Sequence, residues 1–317
     1  MLNGSETLVT IFGGTGFVGR YVCEYLLKAG VRLRVACRDP REAYFLQPLA
    51  GIGQWAPVRA DVGKANSVAQ AVAGADAVIN LIGAFKNMQA LHVAGPRAIA
   101  EAATANRATS LVHVSAIGAD ANSSSDYGRT KGEGEAAVRT AFASATIIRP
   151  SIVFGPEDDF TNRFATLAKL PILPVLAPAT RFQPVYVRDL AQAIAAAALD
   201  PATHGGKTFE IGGPQTLSMI ELNRLIADLA GQSPDIVALP AIAGSAMASL
   251  GFLPGAPLTE DQWKMLQRDN VAARGTPGLD AFGIEPTPIA AVADEWLARY
   301  RGGSRFQGRR ATASPVT

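Results

Sequence analysis

Cysteine is scarce: only Cys23 and Cys37 occur in 317 residues. Two thiols in a chain of this size make no disulfide framework, and a reducing cytoplasm fits. Only three histidines are present, His92, His113 and His204. No cluster of His, Cys and carboxylates has metal-ligand spacing, so no metal site is expected. His113 falls in a strand-like run and reads as buried packing. The net charge is only +2, and no Lys/Arg stripe is interleaved with aromatics, so nucleic acid is not an expected partner. The start, "MLNGSETLVTIFGGTG", enters an apolar strand without a basic region or a cleavage site, and no secretory signal is expected. From Ile236 to Thr259 there is no charged residue, but Pro240, Pro254 and Pro257 interrupt the run. A transmembrane helix is therefore not expected there. A short buried helix with loops is the plain expectation, and an exposed apolar patch for a partner or membrane surface is the alternative.

What is present supports a large core: 48% of residues are hydrophobic and 18% charged. Strand-like runs at "TLVTIF", "RLRVAC", "WAPVR", "AVINLIG", "LVHVS" and "ATIIRP" alternate with helical stretches. Parallel neighbours need crossover connections, so this rhythm predicts an α/β fold, a Rossmann-type doubly wound parallel sheet, over residues 1–150. After Pro150 the rhythm changes. Residues 151–303 are expected to form a smaller, mostly helical C-terminal lobe with pieces returning to the main sheet. The basic, polar residues 304–317 read as a flexible tail.

"VTIFGGTGFVGRYV" carries the strongest signal. Gly13 permits a tight turn, Gly16 lets backbone approach a pyrophosphate, and Gly19 lets the following helix lie close to the strand. Thr15, Phe17 and Val18 complete the loop and the helix start, whose unpaired N–H groups favour phosphate. At the end of the second strand, where an NAD site usually has a carboxylate, stand Cys37 and Arg38. A guanidinium there suits a 2′-phosphate, and Arg20 lies within reach of the same group. NADP(H) is therefore preferred as cofactor, with NAD(H) as the alternative. Asp39 reads as the start of the next helix. Strand order alone places Asp61 and Val62 near the adenine edge, and Asn80, Leu81, Ile82 and Gly83 beside the cofactor's middle.

Tyr127 and Lys131 share one face of a helix. In one reading Lys131 holds the nicotinamide ribose and its charge lowers the Tyr127 pKa for proton transfer; in the other the same geometry serves cofactor binding alone, and the motif does not separate them. The usual helper hydroxyl is replaced by Ala116 or Ile117, with Ser115 as the nearest substitute. Ser123, Ser124 and Ser125 read as turn and cap residues. Glu157, Asp158 and Asp159 read as a solvated loop with helix N-terminal charges.

Together "GGTGFVG", "YGRTK" and "IIRPSIVFGPEDDF" resemble the short-chain dehydrogenase/reductase superfamily, in its extended or atypical branch. The resemblance runs from about Thr7 to Tyr300. "RPSIVFGPEDDFTNRFA" and "FQPVYVRDLAQAI" look like the NADPH-binding accessory-subunit family of respiratory complex I and its bacterial relatives. The resemblance implies cofactor roles for Gly13, Gly16, Gly19, Arg20, Arg38, Asp61, Tyr127 and Lys131. It also implies that the segment Arg149 to Val153, with Pro150, Ser151, Ile152 and Val153, passes the nicotinamide. It further implies a structural or redox-sensing cofactor, with the complex I peripheral arm as partner and a peripheral place on the cytoplasmic face of the inner membrane. The residues leave two other functions open. One is an oxidoreductase or epimerase/dehydratase acting through Tyr127 and Lys131 on a sugar nucleotide or small carbonyl compound. The other is an NADP(H)-responsive regulator of another protein.

Overall fold

The computed structural model describes residue 2, residues 4–249, residue 251 and residues 258–301. Seven parallel strands form the central sheet: β1 (Leu8–Phe12), β2 (Arg32–Cys37), β3 (Trp55–Arg59), β4 (Ala77–Asn80), β5 (Ser110–Val114), β6 (Thr146–Pro150) and β11 (Thr208–Ile211). Their spatial order is β11-β6-β5-β4-β1-β2-β3. The order reverses at β1, so the carboxyl ends of β1 and β4 form the topological switch point, where sheets of this kind bind ligands. The six strands foreseen in the first half form in register, for example Ile11 with Val35 and Ile79 with Val112.

Helices cover both faces. On one lie α1 (Phe17–Lys28) and α6 (Val187–Leu199); on the other lie α2 (Ala65–Val72), α3 (Gly95–Ala105) and α4 (Asp126–Ala141). Two apolar cores result, one around Ile11, Val35 and Leu190, the other around Phe12, Val78 and Ile99. Successive strand residues feed opposite cores, which explains the nearly unbroken apolar runs. A 3₁₀ helix, Pro40–Leu49, follows β2, and Asp39 accepts the Arg41 N–H to begin it, as its sequence suggested.

The second half returns one strand to the sheet edge, β11 beside β6. The expected strand at "RFQPVYV" divides at Pro184 into β9 (Arg181–Phe182) and β10 (Val185–Tyr186), because proline has no N–H to continue a ladder. β10 pairs with β7 (Val153–Phe154), β9 with β12 (Leu217–Ser218), and β8 (Ile172–Val175) with β13 (Asp235–Ala238). Around them stand α5 (Asp159–Leu167), the single turn α7 (Pro201–His204), α8 (Met219–Leu229), α9 (Ala241–Ser249) and α10 (Glu260–Leu266).

The short helix foreseen in the uncharged stretch exists as α9, but it is not buried. Ile242 is 82% exposed, and the helix rests through Gly244 on Trp263, whose Nε1 donates to Ser245 Oγ at 3.2 Å. Small residues on every side of α9 give it no wide apolar face to bury. Residues 250 and 252–257, and the tail foreseen at 304–317, lie outside the described residues. No helix among the described residues is long and apolar enough to cross a membrane.

Candidate cofactor and proton-transfer site

The glycine turn is built by contact. Gly13 has φ +82°, the left-handed region that glycine enters at no steric cost. A Cβ on Gly19 would stand 2.1 Å from the Gly13 carbonyl oxygen, so only glycine lets α1 press against the turn. Gly16 is the N-cap of α1 and brings no side-chain acceptor. The first N–H groups of that helix, including Phe17, Val18 and Gly19, have no intrahelical partners, the arrangement that suits an anion. Thr15 reaches Glu42 at 3.5 Å.

From this turn the site runs continuously to the tyrosine. A Cβ on Gly13 would meet Leu81 at 3.3 Å and the Ile82 nitrogen at 3.4 Å. The Asn80 side chain ends β4 by accepting the Ile82 N–H at 3.1 Å. A Cβ on Gly83 would meet the Lys131 Nζ at 3.4 Å, and that ammonium donates to the Val114 carbonyl at 3.2 Å. Lys131 is thus wedged between the ends of β4 and β5, one helical turn from Tyr127. Burial pushes the Lys131 pKa down to about 8, against a smaller opposing pull from Glu135.

The expected lowering of the Tyr127 pKa is reversed: burial pushes it up to about 12. Lys131 Nζ stands 5.9 Å from the ring centroid, while Phe85 stacks on the ring at 5.0 Å and the His92 edge meets it at 5.2 Å. Apolar enclosure disfavours the phenolate more than this ammonium favours it. Ser125 caps α4 by accepting the Gly128 N–H at 3.1 Å, as foreseen, and Ser123 lies 3.2 Å from the Ser125 hydroxyl. Ser115 is buried, and its hydroxyl has no hydrogen-bond partner among the described residues.

The segment after β6 is stitched to the same place. The Ile117 N–H donates to the Pro150 carbonyl at 3.0 Å. Ser151 Oγ and the Ile152 N–H both reach Asn270 Oδ1, at 2.7 and 2.8 Å. Val153 begins β7, and a Cβ on Gly155 would meet the Phe17 ring at 3.2 Å. Behind α4, Glu135 holds Arg149 through two oxygens at 2.9 and 2.7 Å, and Glu210 joins at 3.3 Å.

Arg38 is exposed at the end of β2, while the Asp39 carboxylate is engaged by Arg41 at 2.8 Å. Arg20 turns to Glu157 at 3.3 Å, which also accepts the Tyr21 hydroxyl at 2.7 Å. Glu157 and Asp159 are exposed, and Asp158 and Asp159 stand at the N-terminus of α5, as expected; only Asp158 departs from the solvated reading. Asp158 is 4% exposed and caps α5 by accepting the Thr161 N–H, because a buried carboxylate must find donors. Asp61 is exposed and accepts the Gly63 N–H at 3.0 Å, while Val62 lies against Gly95. His113 is buried in β5, as expected, with Nδ1 3.0 Å from Asn80 Nδ2.

Phe85, His92, Asn270 and Asp261 were not foreseen. Asn270 and Asp261 act from far along the chain and leave no local signal. Gly132 and Gly134 do leave one: two glycines inside a helix cost about 1 kcal/mol each relative to alanine. Their reason is close approach, since a Cβ on Gly134 would stand 1.9 Å from the His92 carbonyl oxygen.

The chain is similar to known proteins over most of its length. The NAD dependent epimerase/dehydratase family matches residues 9–212. The rat protein named NADH dehydrogenase (ubiquinone) 1 alpha subcomplex subunit 9, mitochondrial, is 34% identical over 307 residues, covering 94% of this chain and 81% of the relative. A ceramide reductase from Caulobacter vibrioides is 31% identical over 247 residues, 76% of each chain. Among solved structures, the NADPH-dependent quinone oxidoreductase of Escherichia coli complexed with NADPH has a TM-score of 0.74 at 20% identity, covering 90% of this chain and 99% of that one.

Proposed function

The chain belongs to the NAD dependent epimerase/dehydratase family, and from that premise we propose that it is an NADP(H)-binding accessory protein of respiratory complex I. Its cofactor serves a structural or redox-sensing role. The observation that carries this reading is the enclosure of Tyr127. A phenol roofed by Phe85, with its pKa raised to about 12 and no hydroxyl at Ala116 or Ile117, is suited to lining a bound cofactor more than to rapid proton transfer. The similarity to the rat subunit 9 over 94% of the chain supports the partner.

In this reading the α1 N-terminus takes the pyrophosphate and Arg38 takes a 2′-phosphate, with Asp39 already committed to Arg41. Lys131 faces the nicotinamide ribose, with Ile152 and Val153 beside the ring. Bound nicotinamide supplies hydride chemistry. Attachment is peripheral, on the cytoplasmic face of the inner membrane. The test is to denature purified protein and identify the released nucleotide, together with blue-native separation of solubilised membranes. Stoichiometric NADP(H) and migration with complex I support the proposal. Release of no dinucleotide, or migration apart from the complex, removes it.

A second reading is a carbonyl reductase, favoured by the retained Tyr127–Lys131 pair and the similarity to a ceramide reductase. There Tyr127 gives its proton to the substrate carbonyl oxygen, and the apolar side chains of Phe85 and Ile117 suit a lipid-like substrate. Tyr127→Phe then abolishes reduction of such a carbonyl compound while cofactor binding persists. Undiminished turnover by that variant rules it out.

A further inference from the structure

His92 is completely buried, on a π-helical turn, Gln89–Ala94, that leads into α3. Such turns are rare and concentrate at functional sites. Its Nε2 is 3.1 Å from the Ala84 nitrogen and its Nδ1 is 2.9 Å from Thr130 Oγ1. A backbone N–H can only donate, so Nε2 meets it with a lone pair. In a neutral ring the proton is then on Nδ1, which donates to the Thr130 oxygen. The Thr130 hydroxyl in turn donates to the Asp126 carbonyl at 2.8 Å. The directions of all three bonds follow from the first.

We propose that His92 is a positioning residue, whose Nδ1–H tautomer straps the loop carrying Gly83 and Phe85 to the helix carrying Tyr127 and Lys131. Phe85 is next to the strapped Ala84. It keeps 56% of its surface exposed while stacking on Tyr127 at an interplanar angle of 25°. A large apolar ring held at the surface over a phenol acts as a cover, and His92 sets where it rests. The loop turns back to the π-helical segment through Asn87, at φ +52°, a conformation uncommon outside glycine. The charged or titratable groups facing His92 are Tyr127 and Lys131 on α4 and His113 on β5. Burial first, and the Lys131 charge second, push the His92 pKa down to about 4, so the strap persists near neutral pH. The inference rests on the proposed function only in treating Tyr127 as a cofactor-side residue.

Long-range ¹H–¹⁵N spectra of the full ¹⁵N-labelled chain read the tautomer directly. The expected result is a neutral Nδ1–H ring at His92, unchanged between about pH 5.5 and pH 8. An Nε2–H ring, or titration near the ordinary histidine value, overturns the proposal. In His92→Phe, amide exchange at Ala84 and Phe85 should accelerate roughly tenfold or more while β1 amides keep their wild-type rates. Unchanged exchange at Ala84 overturns it equally. Should that variant fail to fold, the wild-type tautomer decides alone. Neither measurement needs bound dinucleotide, so failure of the nucleotide-release experiment leaves this test intact.

Discussion

Asp261 caps the helix of Tyr127 from 134 residues away: its carboxylate accepts the Tyr127 N–H at 3.1 Å and the Asp126 N–H at 2.5 Å. A carboxylate at a helix N-terminus satisfies orphan donors and meets the positive dipole end. Asp261→Ala should therefore destabilise the protein by about 1 kcal/mol in urea titration, with Asp261→Asn recovering part of the loss. Equal stability of all three proteins contradicts the cap.

Gly19→Ala tests the glycine turn. The added methyl would overlap the Gly13 carbonyl, and overpacking of this kind costs about 1–3 kcal/mol. The turn and α1 must separate, so calorimetry should register a large loss of NADPH affinity. Wild-type affinity would show that the turn does not hold the phosphates.

Arg38→Ala should discriminate between the two nicotinamide cofactors. Loss of a charge-assisted contact of about 1.5–3 kcal/mol weakens NADPH by about 10–160-fold and leaves NADH unchanged. An equal effect on both nucleotides places the 2′-phosphate elsewhere.

The parts of the molecule that sequence made visible are those encoded locally. Gly13, Gly16 and Gly19 announce a turn because each position has its own steric demand, and Tyr127 and Lys131 announce a shared face because four residues make about one helical turn. Ser125 and Asp39 are legible as caps for the same reason. Asp261 and Asn270 were invisible because their partners, Tyr127 and Ile152, are set by tertiary register. The Tyr127 pKa direction failed similarly: Lys131 was legible, but the enclosing Phe85 and His92 were not.

Acid should destabilise the protein in a definable window. His92 and His113 have pKa values pushed from the usual 6.5 down to about 4 and about 3, chiefly by burial. Below about pH 6.5 the unfolded chain takes up two protons that the folded chain refuses, so stability falls as pH falls. Between about pH 6.5 and pH 5 the slope from these groups approaches about 2.7 kcal/mol per pH unit, and His92→Gln should halve it. A slope unaltered by that variant contradicts the buried neutral imidazole.

Ile117→Ser tests the vacant helper position. If the pair can reduce a carbonyl lipid, an added hydroxyl should raise turnover by up to about 100-fold without changing NADPH affinity. No gain in a variant that still binds cofactor argues against both the alignment and the reductase reading.

β11 has a consequence for the order of assembly. It joins β6 through four register pairs, from Thr208 with Ile147 to Ile211 with Pro150, and brings Glu210 to Arg149. A nascent chain that has emerged only to Pro150 has every glycine of the turn after β1, yet β6 has an open flank and Arg149 lacks one of its two acidic partners. The seven-stranded sheet is thus complete only after the ribosome has delivered some sixty residues more. Until then the unzipped flank is the part most in need of a chaperone.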